Sequence, residues 1–79
     1  MIASVVAQID RQLTDSIRLG DAVESRVGIE VGEACGPKVP LTIEAIDGRE
    51  LEVATEWLRS LPGVMYVDVI YVNFDEESA

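Results

Sequence analysis

The chain has 79 residues, with six Lys and Arg against 15 Asp and Glu, so its net charge is −9. A chain of this length is expected to form a single domain over 1–79, and its 48% hydrophobic content predicts a globular protein, not a disordered acidic one. The acidity argues against binding to nucleic acid or to an anionic membrane surface, because both require Lys and Arg. A neutral or basic partner fits this charge better.

The residue types that are missing exclude several kinds of site. The chain holds no histidine and one cysteine, which excludes a His-based triad, a His-containing zinc site, an internal disulfide and a Cys-x-x-Cys motif. A small chain without disulfides fits a reducing cytoplasm. No apolar run approaches the roughly 20 residues that span a bilayer, and the first charge is Asp10, so we expect no secretory signal and no membrane insertion.

The first segment, about 2–9, is uncharged and rich in Val and Ile, which predicts a buried strand. Its odd-numbered residues, from Ala3 to Ile9, are all apolar and are therefore expected to face the core.

Apolar residues then recur every three or four positions from about 12 to 26, which predicts an amphipathic helix with Asp10 or Thr14 as its N-cap. We interpret Gly20, on the apolar stripe, as a point of close approach between the helix backbone and a sheet. The predicted stripe contains Leu13, Ile17, Gly20, Val23 and Val27.

Gly28 is expected to end that helix, and a hairpin follows with strands at 29–31 and 39–46. The odd-numbered residues of the second of these strands are expected to face the core. Pro40 cannot donate a backbone hydrogen bond, so it is expected at a strand start or an unpaired position. Cys35 lies in the turn without a base beside it in the sequence, which predicts an inert thiol.

Asp47 and Glu50 have the spacing of a capping box for a second helix at about 48–60, which Pro62 and Gly63 end. Its apolar stripe contains Leu51, Ala54, Trp57, Leu58 and Leu61, so Trp57 is interpreted as a packing residue.

The last strand is predicted at about 64–74, with Met65, Val67, Val69 and Tyr71 toward the core. The segment 75–79 is expected to be a flexible acidic tail.

The predicted element order is βαββαβ, which indicates an α+β fold of the ferredoxin-like plait: a four-stranded antiparallel sheet with two helices on one face. The other face of the sheet is then uncovered. The strand phases place ten residues there: Ser4, Val6, Gln8, Glu30, Thr42, Glu44, Tyr66, Asp68, Ile70 and Val72. This mixture of apolar side chains and carboxylates predicts a docking surface for an apolar segment that carries positive charge, such as a basic amphipathic helix.

The opening Ser4 to Gln8, the strand Gly28 to Val31, and the closing Gly63-Val64 and Val67 to Tyr71 with an acidic tail resemble NapD-type chaperones. These are small cytoplasmic proteins needed to mature the periplasmic nitrate reductase. The resemblance implies a ferredoxin-like fold, and from the residues themselves we expect no catalysis and no cofactor. The resemblance also implies binding of the twin-arginine signal peptide of the reductase's catalytic subunit as a helix on the sheet, which restrains export until maturation is complete.

The positions that match the family pattern are Ser4, Val6, Gln8, Glu30, Asp68 and Ile70, whereas Thr42, Glu44, Tyr66 and Val72 rest on strand phase. Our hypothesis is that Glu44 and Asp68 attract the arginines of the peptide. The apolar part of the peptide is expected to contact Val6, Tyr66, Ile70 and Val72. The sequence departs from the family in its hairpin tip, 34–38, and in having Arg26-Val27 where a proline often precedes the glycine.

Other functions remain as alternatives. A small-molecule-sensing module of the ACT or Lrp-effector type shares the predicted fold and dimerises, but such modules usually regulate a larger protein. We therefore expect a free-standing protein, monomeric or weakly dimeric. A phosphatase of this fold requires an anion-binding loop after the first strand, where this chain has Asp10, Arg11 and Gln12. Glu30, Glu44 and Asp68 lack a metal-ligand spacing, so no metal site is expected.

Overall fold

The computed structural model describes residues 1–73. The elements are β1 (Ile2–Ile9), α1 (Ser16–Glu24), β2 (Ile29–Val31), β3 (Lys38–Glu44), α2 (Gly48–Arg59) and β4 (Val64–Asn73). Phe74, the predicted end of the last strand, and the predicted tail 75–79 lie outside the described residues. The predicted βαββαβ order is confirmed.

The four strands form one antiparallel sheet in the order β2-β3-β1-β4. The two longest pairings therefore flank β1 at the centre, and β2 and β4 are the edges. Leu19 and Val23 of α1 and Leu58 of α2 belong to one apolar cluster with the odd-numbered residues of β1 and β3. Both helices thus cover the same face, and the ferredoxin-like fold is confirmed.

The central strands follow their predicted alternation because each is half covered by helices. The odd-numbered residues of β1 and β3, from Ala3 to Ile9 and from Val39 to Ile43, are between 0 and 2% exposed. Pro40 lies just past the pairing of β2 with β3, and its carbonyl accepts from the Gly32 amide at 2.8 Å. The N–H that proline lacks would therefore point beyond the end of β2, although Pro40 is the third residue of β3 and is paired with Val6 of β1, not at a strand start or an unpaired position.

The capping box of α2 is confirmed. The Glu50 amide donates to the Asp47 carboxylate at 2.9 Å, and the Glu50 carboxylate accepts from the Ile46 amide at 2.9 Å. Ala54 and Leu58 are buried, and Trp57 is partly buried with the Arg26 guanidinium 4.9 Å from its ring centre. This contact places Trp57 at the rim of the core, as the sequence predicts.

The first helix is shorter than predicted, and its apolar stripe was predicted wrongly. Asp15 is the N-cap, and its carboxylate accepts from the Arg18 amide at 2.8 Å, in place of Asp10 or Thr14. Because the helix begins at Ser16, its inward face carries Leu19 and Val23. The outer residues Leu13, Ile17 and Val27 are 64%, 74% and 99% exposed. A Cβ on Gly20 would meet nothing within 4 Å, so the predicted close approach is also wrong.

A glycine lies immediately before each of the two strands that follow a helix, β2 and β4, and the structure explains why. Gly28 and Gly63 have φ angles of +94° and +87°, a region that disfavours other residues. A Cβ on Gly63 would lie 2.4 Å from Thr14 Cγ2, and one on Gly28 would lie 2.9 Å from the Glu44 carbonyl oxygen. The chain therefore requires glycine where it turns from each helix back into the sheet.

Candidate functional site: the open face of the sheet

We call the sheet face opposite the helices the open face. Strand register arranges its side chains in rows that run across the sheet. Ser4 lies at the centre of one row, between Thr42 on β3 and Tyr71 on β4, with Glu30 on β2 beyond Thr42. The next rows toward the hairpin end are Pro40-Val6-Asp68 and Lys38-Gln8-Tyr66, and Glu44-Ile2-Asn73 is the row at the other end.

The register places eight of the ten predicted site residues on this face, Ile70 is an exposed bulge residue beside Tyr71, and Val72 lies on the covered face. Val6 and Gln8 are partly buried, and the others are exposed: Ser4, Glu30, Thr42, Glu44, Tyr66, Asp68 and Ile70. Within residues 1–73, both helices pack against the other side of the sheet.

The prediction for Val72 is wrong because β4 slips by one residue relative to β1. Val69 pairs with Val5, but the next partner, Ser4, pairs with Tyr71, so Ile70 is an extra residue. Beyond this bulge the alternation is reversed. Val72 lies opposite Ala3 and packs against the core, whereas Tyr71, predicted to face the core, lies on the open face.

A second slip occurs at the start of β4. Ile9 pairs with Val64 and Gln8 with Tyr66, which leaves Met65 as the extra residue. Val64 packs against the core, so Met65 is 61% exposed where the sequence predicts a core residue. Val69 shares the face of Val5 but remains 44% exposed at the sheet edge. Of the four residues of β4 predicted to face the core, Val67 is the buried one.

The two slips add exposed apolar side chains at the β4 edge of the open face. We call the following set the apolar band: Val6, Tyr66 and Tyr71, which the register places on this face, and the adjoining exposed bulge residues Met65 and Ile70. Tyr66, Ile70 and Tyr71 are 43%, 63% and 60% exposed. The Tyr66 hydroxyl donates to the Gln8 Oε1 at 2.5 Å, which holds the ring along the sheet. Large apolar groups exposed side by side are typical of a binding surface.

The charges of the open face are unevenly distributed, and one of them, Asp68, lies within the apolar band between the rows of Tyr71 and Tyr66. Glu30 and Glu44 border a shallow depression of about 310 Å³ that Ile2, Gly28 and Thr42 also line. Asp68 lies on β4, and Lys38 lies at the hairpin end of β3. Within residues 1–73 the one ion pair joins Arg59 to Glu56 on α2, so these three carboxylates have no cationic partner there.

No three His, Cys, Asp or Glu side chains in 1–73 come together to hold a metal ion. Cys35 is exposed in the hairpin, where its backbone forms both hydrogen bonds of a bridge with Lys38. None of the helices in this part of the chain has the length and apolar character needed to cross a membrane.

A larger groove of about 640 Å³ lies near the start of α2, lined by Arg26, Val27, Ile46 and Glu50 among others. It borders the open face at Gly28 and Glu44, which also line the smaller depression. Val27 and Ile46 are exposed at its rim, and the Arg26 guanidinium is already engaged over Trp57.

Sequence reasoning missed Met65 and Tyr71, for which the sequence carries no signal because nearly every residue of β4 is apolar. Lys38 was missed for a different reason. Its place in the alternation of β3 puts it on the open face with Thr42 and Glu44, so extending the strand phase by two residues would have found it.

Comparison with known proteins supports the fold. No protein-family model matches the chain, and no curated protein matches it. The solution structure of the E. coli Tat proofreading chaperone protein NapD superposes with a TM-score of 0.78 at 22% sequence identity, covering 98% of this chain and 81% of that one. At this identity the likeness shows a shared fold.

Proposed function

We propose that this protein is a chaperone that binds a Tat signal peptide, and that the peptide docks on the open face of the sheet. The observation that carries the proposal is the apolar band beside carboxylates that have no cationic partner within residues 1–73. A Tat signal peptide has two arginines followed by an apolar stretch, which is the complementary chemistry. The fold shared with a Tat proofreading chaperone supports the same function.

Typical free energies indicate how much the apolar and the charged residues of the face would each contribute to binding. Burying one apolar side chain is worth roughly 1.5–3 kcal/mol, whereas an exposed ion pair is worth about 0.2–1 kcal/mol. The apolar band would therefore supply most of the affinity. The carboxylates would steer the peptide and select for its cationic start.

The specific partner that we propose is the signal peptide of the periplasmic nitrate reductase catalytic subunit, which the sequence resemblance implies. Holding that peptide against the sheet would keep it from the export machinery. This role requires no catalysis by the chaperone and takes place in the cytoplasm, before export. A panel of twin-arginine peptides from different exported enzymes would test the choice, and we expect the reductase peptide to bind most tightly.

The decisive experiment is calorimetry of Ile70→Asp with a twin-arginine peptide. Ile70 is 63% exposed beside Tyr71 in the apolar band, so a carboxylate there should not unfold the protein but should weaken binding at least about tenfold. The matched control is Val53→Asp, because Val53 is 52% exposed on α2. Unchanged affinity in the Ile70 variant, or an equal loss in the Val53 variant, would overturn docking on the open face.

The small-molecule-sensing alternative gives a different result in simple measurements. It predicts a dimer in gel filtration and a thermal shift with an amino acid or a similar ligand, without peptide binding. A monomer or weak dimer that binds the peptide would support the chaperone.

A further inference from the structure

We infer that the signal peptide lies on the open face in one direction, with its arginines over the β2–β3 corner and its apolar stretch running diagonally toward Tyr66 and Met65 on β4. This inference rests on the proposed function and assigns the orientation of the ligand on the same surface. It differs from the hypothesis based on the sequence, which paired the arginines with Glu44 and Asp68.

The first argument is the distribution of charge along β3. Glu44 ends this strand and Lys38 begins it, and both lie on the open face. They are six residues apart, or about 20 Å at the rise of a β-strand. Glu30 lies on the same side as Glu44, opposite Thr42. A cationic segment is therefore attracted to the end that carries two carboxylates and repelled by Lys38 at the other end, where the single carboxylate of Asp68 lies one row away on β4.

The second argument is the position of the apolar band. Its β4 members, Met65, Tyr66, Ile70 and Tyr71, lie on the strand farthest from β2, because β3 and β1 separate the two edges. The register places Tyr66 two rows from Glu30, in the row of Lys38. An apolar segment that follows the arginines would thus begin near Ser4 and end at Tyr66.

The dimensions of the diagonal match a peptide helix. Three strand spacings of about 4.8 Å and two rows of about 7 Å give a diagonal of roughly 20 Å from Glu30 to Tyr66. A helix rises about 1.5 Å per residue, so about 13 residues cover this distance. A reversed helix would bring its arginines to the row of Lys38 and Tyr66, one row from the single carboxylate of Asp68, and would lay its apolar stretch over Glu30 and Glu44, so both ends would be less complementary.

Relaxation enhancement by spin-labelled peptides tests the orientation. A nitroxide placed beside the arginines should broaden the backbone amide signals of Glu30, Thr42 and Glu44. A nitroxide at the far end of the apolar stretch should instead broaden Gln8, Lys38 and Tyr66. The opposite pattern, or equal broadening of both ends by each label, would overturn the inference.

Charge reversal gives an independent test with an internal rescue. The double variant Glu30→Lys, Glu44→Lys should weaken binding of the natural peptide about tenfold or more, and a peptide with both arginines replaced by glutamate should recover affinity for it. Lys38→Glu is the matched control, because it changes a charge at the far end of the same strand and should not weaken the natural peptide. A loss of affinity in the control that equals the loss in the double variant would contradict the orientation.

Failure of this inference is distinguishable from failure of the proposed function. If Ile70→Asp abolishes binding while the label beside the arginines broadens Lys38, the peptide uses the open face in the reverse direction, and only the orientation is wrong. If both labels broaden α2 residues such as Arg49 and Glu52, the open face is not the binding surface, and both proposals fail.

Discussion

The two faces of the sheet are built from the same strands under opposite constraints. On β1 the odd-numbered residues are at most 2% exposed beneath the helices, whereas the residues between them carry a hydroxyl, a Val and an amide on the open face. The covered face is apolar throughout the strand centres, because any polar group there would lose its water. The open face is free of that constraint, and under the proposed function its exposed apolar side chains serve to bind the peptide.

The largest expected effect comes from the covered face. Leu58 is 0% exposed on α2 within the core cluster. Leu58→Ala should therefore lower the free energy of unfolding by about 2–5 kcal/mol, through lost burial and the cavity left behind. Urea denaturation followed by circular dichroism measures this change.

The matched control for Leu58→Ala is Val53→Ala on the same helix, because Val53 is 52% exposed. Its effect on stability should stay within about 0.5 kcal/mol. Equal losses in the two variants would contradict the view that the helix layer stabilises the fold through its inward side chains.

The next effect comes from deleting Ile70, the extra residue of the bulge that brings Tyr71 to the open face. After deletion of Ile70, Tyr71 directly follows Val69. Val69 can still pair with Val5 and Tyr71 with Ser4, so the pairing of β4 with β1 before and after the bulge is kept. We expect the fold to remain and peptide affinity to fall about tenfold to a hundredfold, the equivalent of one apolar side chain of roughly 1.5–3 kcal/mol.

Two measurements check the deletion. The amide signals of β1 and β3 report whether the sheet is retained, and calorimetry reports the affinity. If the deletion variant keeps the sheet and binds the peptide as tightly as the parent, the bulge is not needed for peptide binding.

The same bulge marks the limit of what the sequence could predict. On β3 the alternation between apolar and polar residues, from Val39 to Glu44, fixes both the strand and its phase. On β4 the run from Val64 to Val72 is apolar apart from Asp68, so either phase satisfies the pattern, and an inserted residue leaves no trace. Register there is set by pairing with β1, a tertiary contact that only the structure shows.

The helices differ in a similar way. The capping box at Asp47 and Glu50 is a local signal, and it located the start of α2 correctly. The start of α1 has three residues that can cap a helix within six positions, Asp10, Thr14 and Asp15. The apolar residues around them also fit a helical periodicity that the structure does not adopt. The true helix is nine residues long, so two buried side chains, Leu19 and Val23, were too few to define its face.

The smallest expected effect comes from removing one negative charge of the open face while leaving the apolar band unchanged. Asp68 is exposed in the row of Val6 and Pro40, and it has no cationic partner within residues 1–73. If the arginines lie over Glu30 and Glu44, Asp68 acts on them only at a distance. Asp68→Asn should then cost about 0.2–1 kcal/mol, up to about fivefold in affinity, the range of a single exposed ion pair.

Salt separates this charge effect from a loss of packing. A charge effect at the surface falls when the Debye length drops from about 10 Å at 0.1 M salt to about 3 Å at 1 M, whereas the loss in Ile70→Asp comes largely from apolar contact and should persist. Glu52→Gln, an exposed change on α2, serves as the control for net charge. A loss at Asp68 that exceeds tenfold, or that does not shrink with salt, would mean that Asp68 contacts an arginine directly and that the peptide lies closer to β4 than inferred.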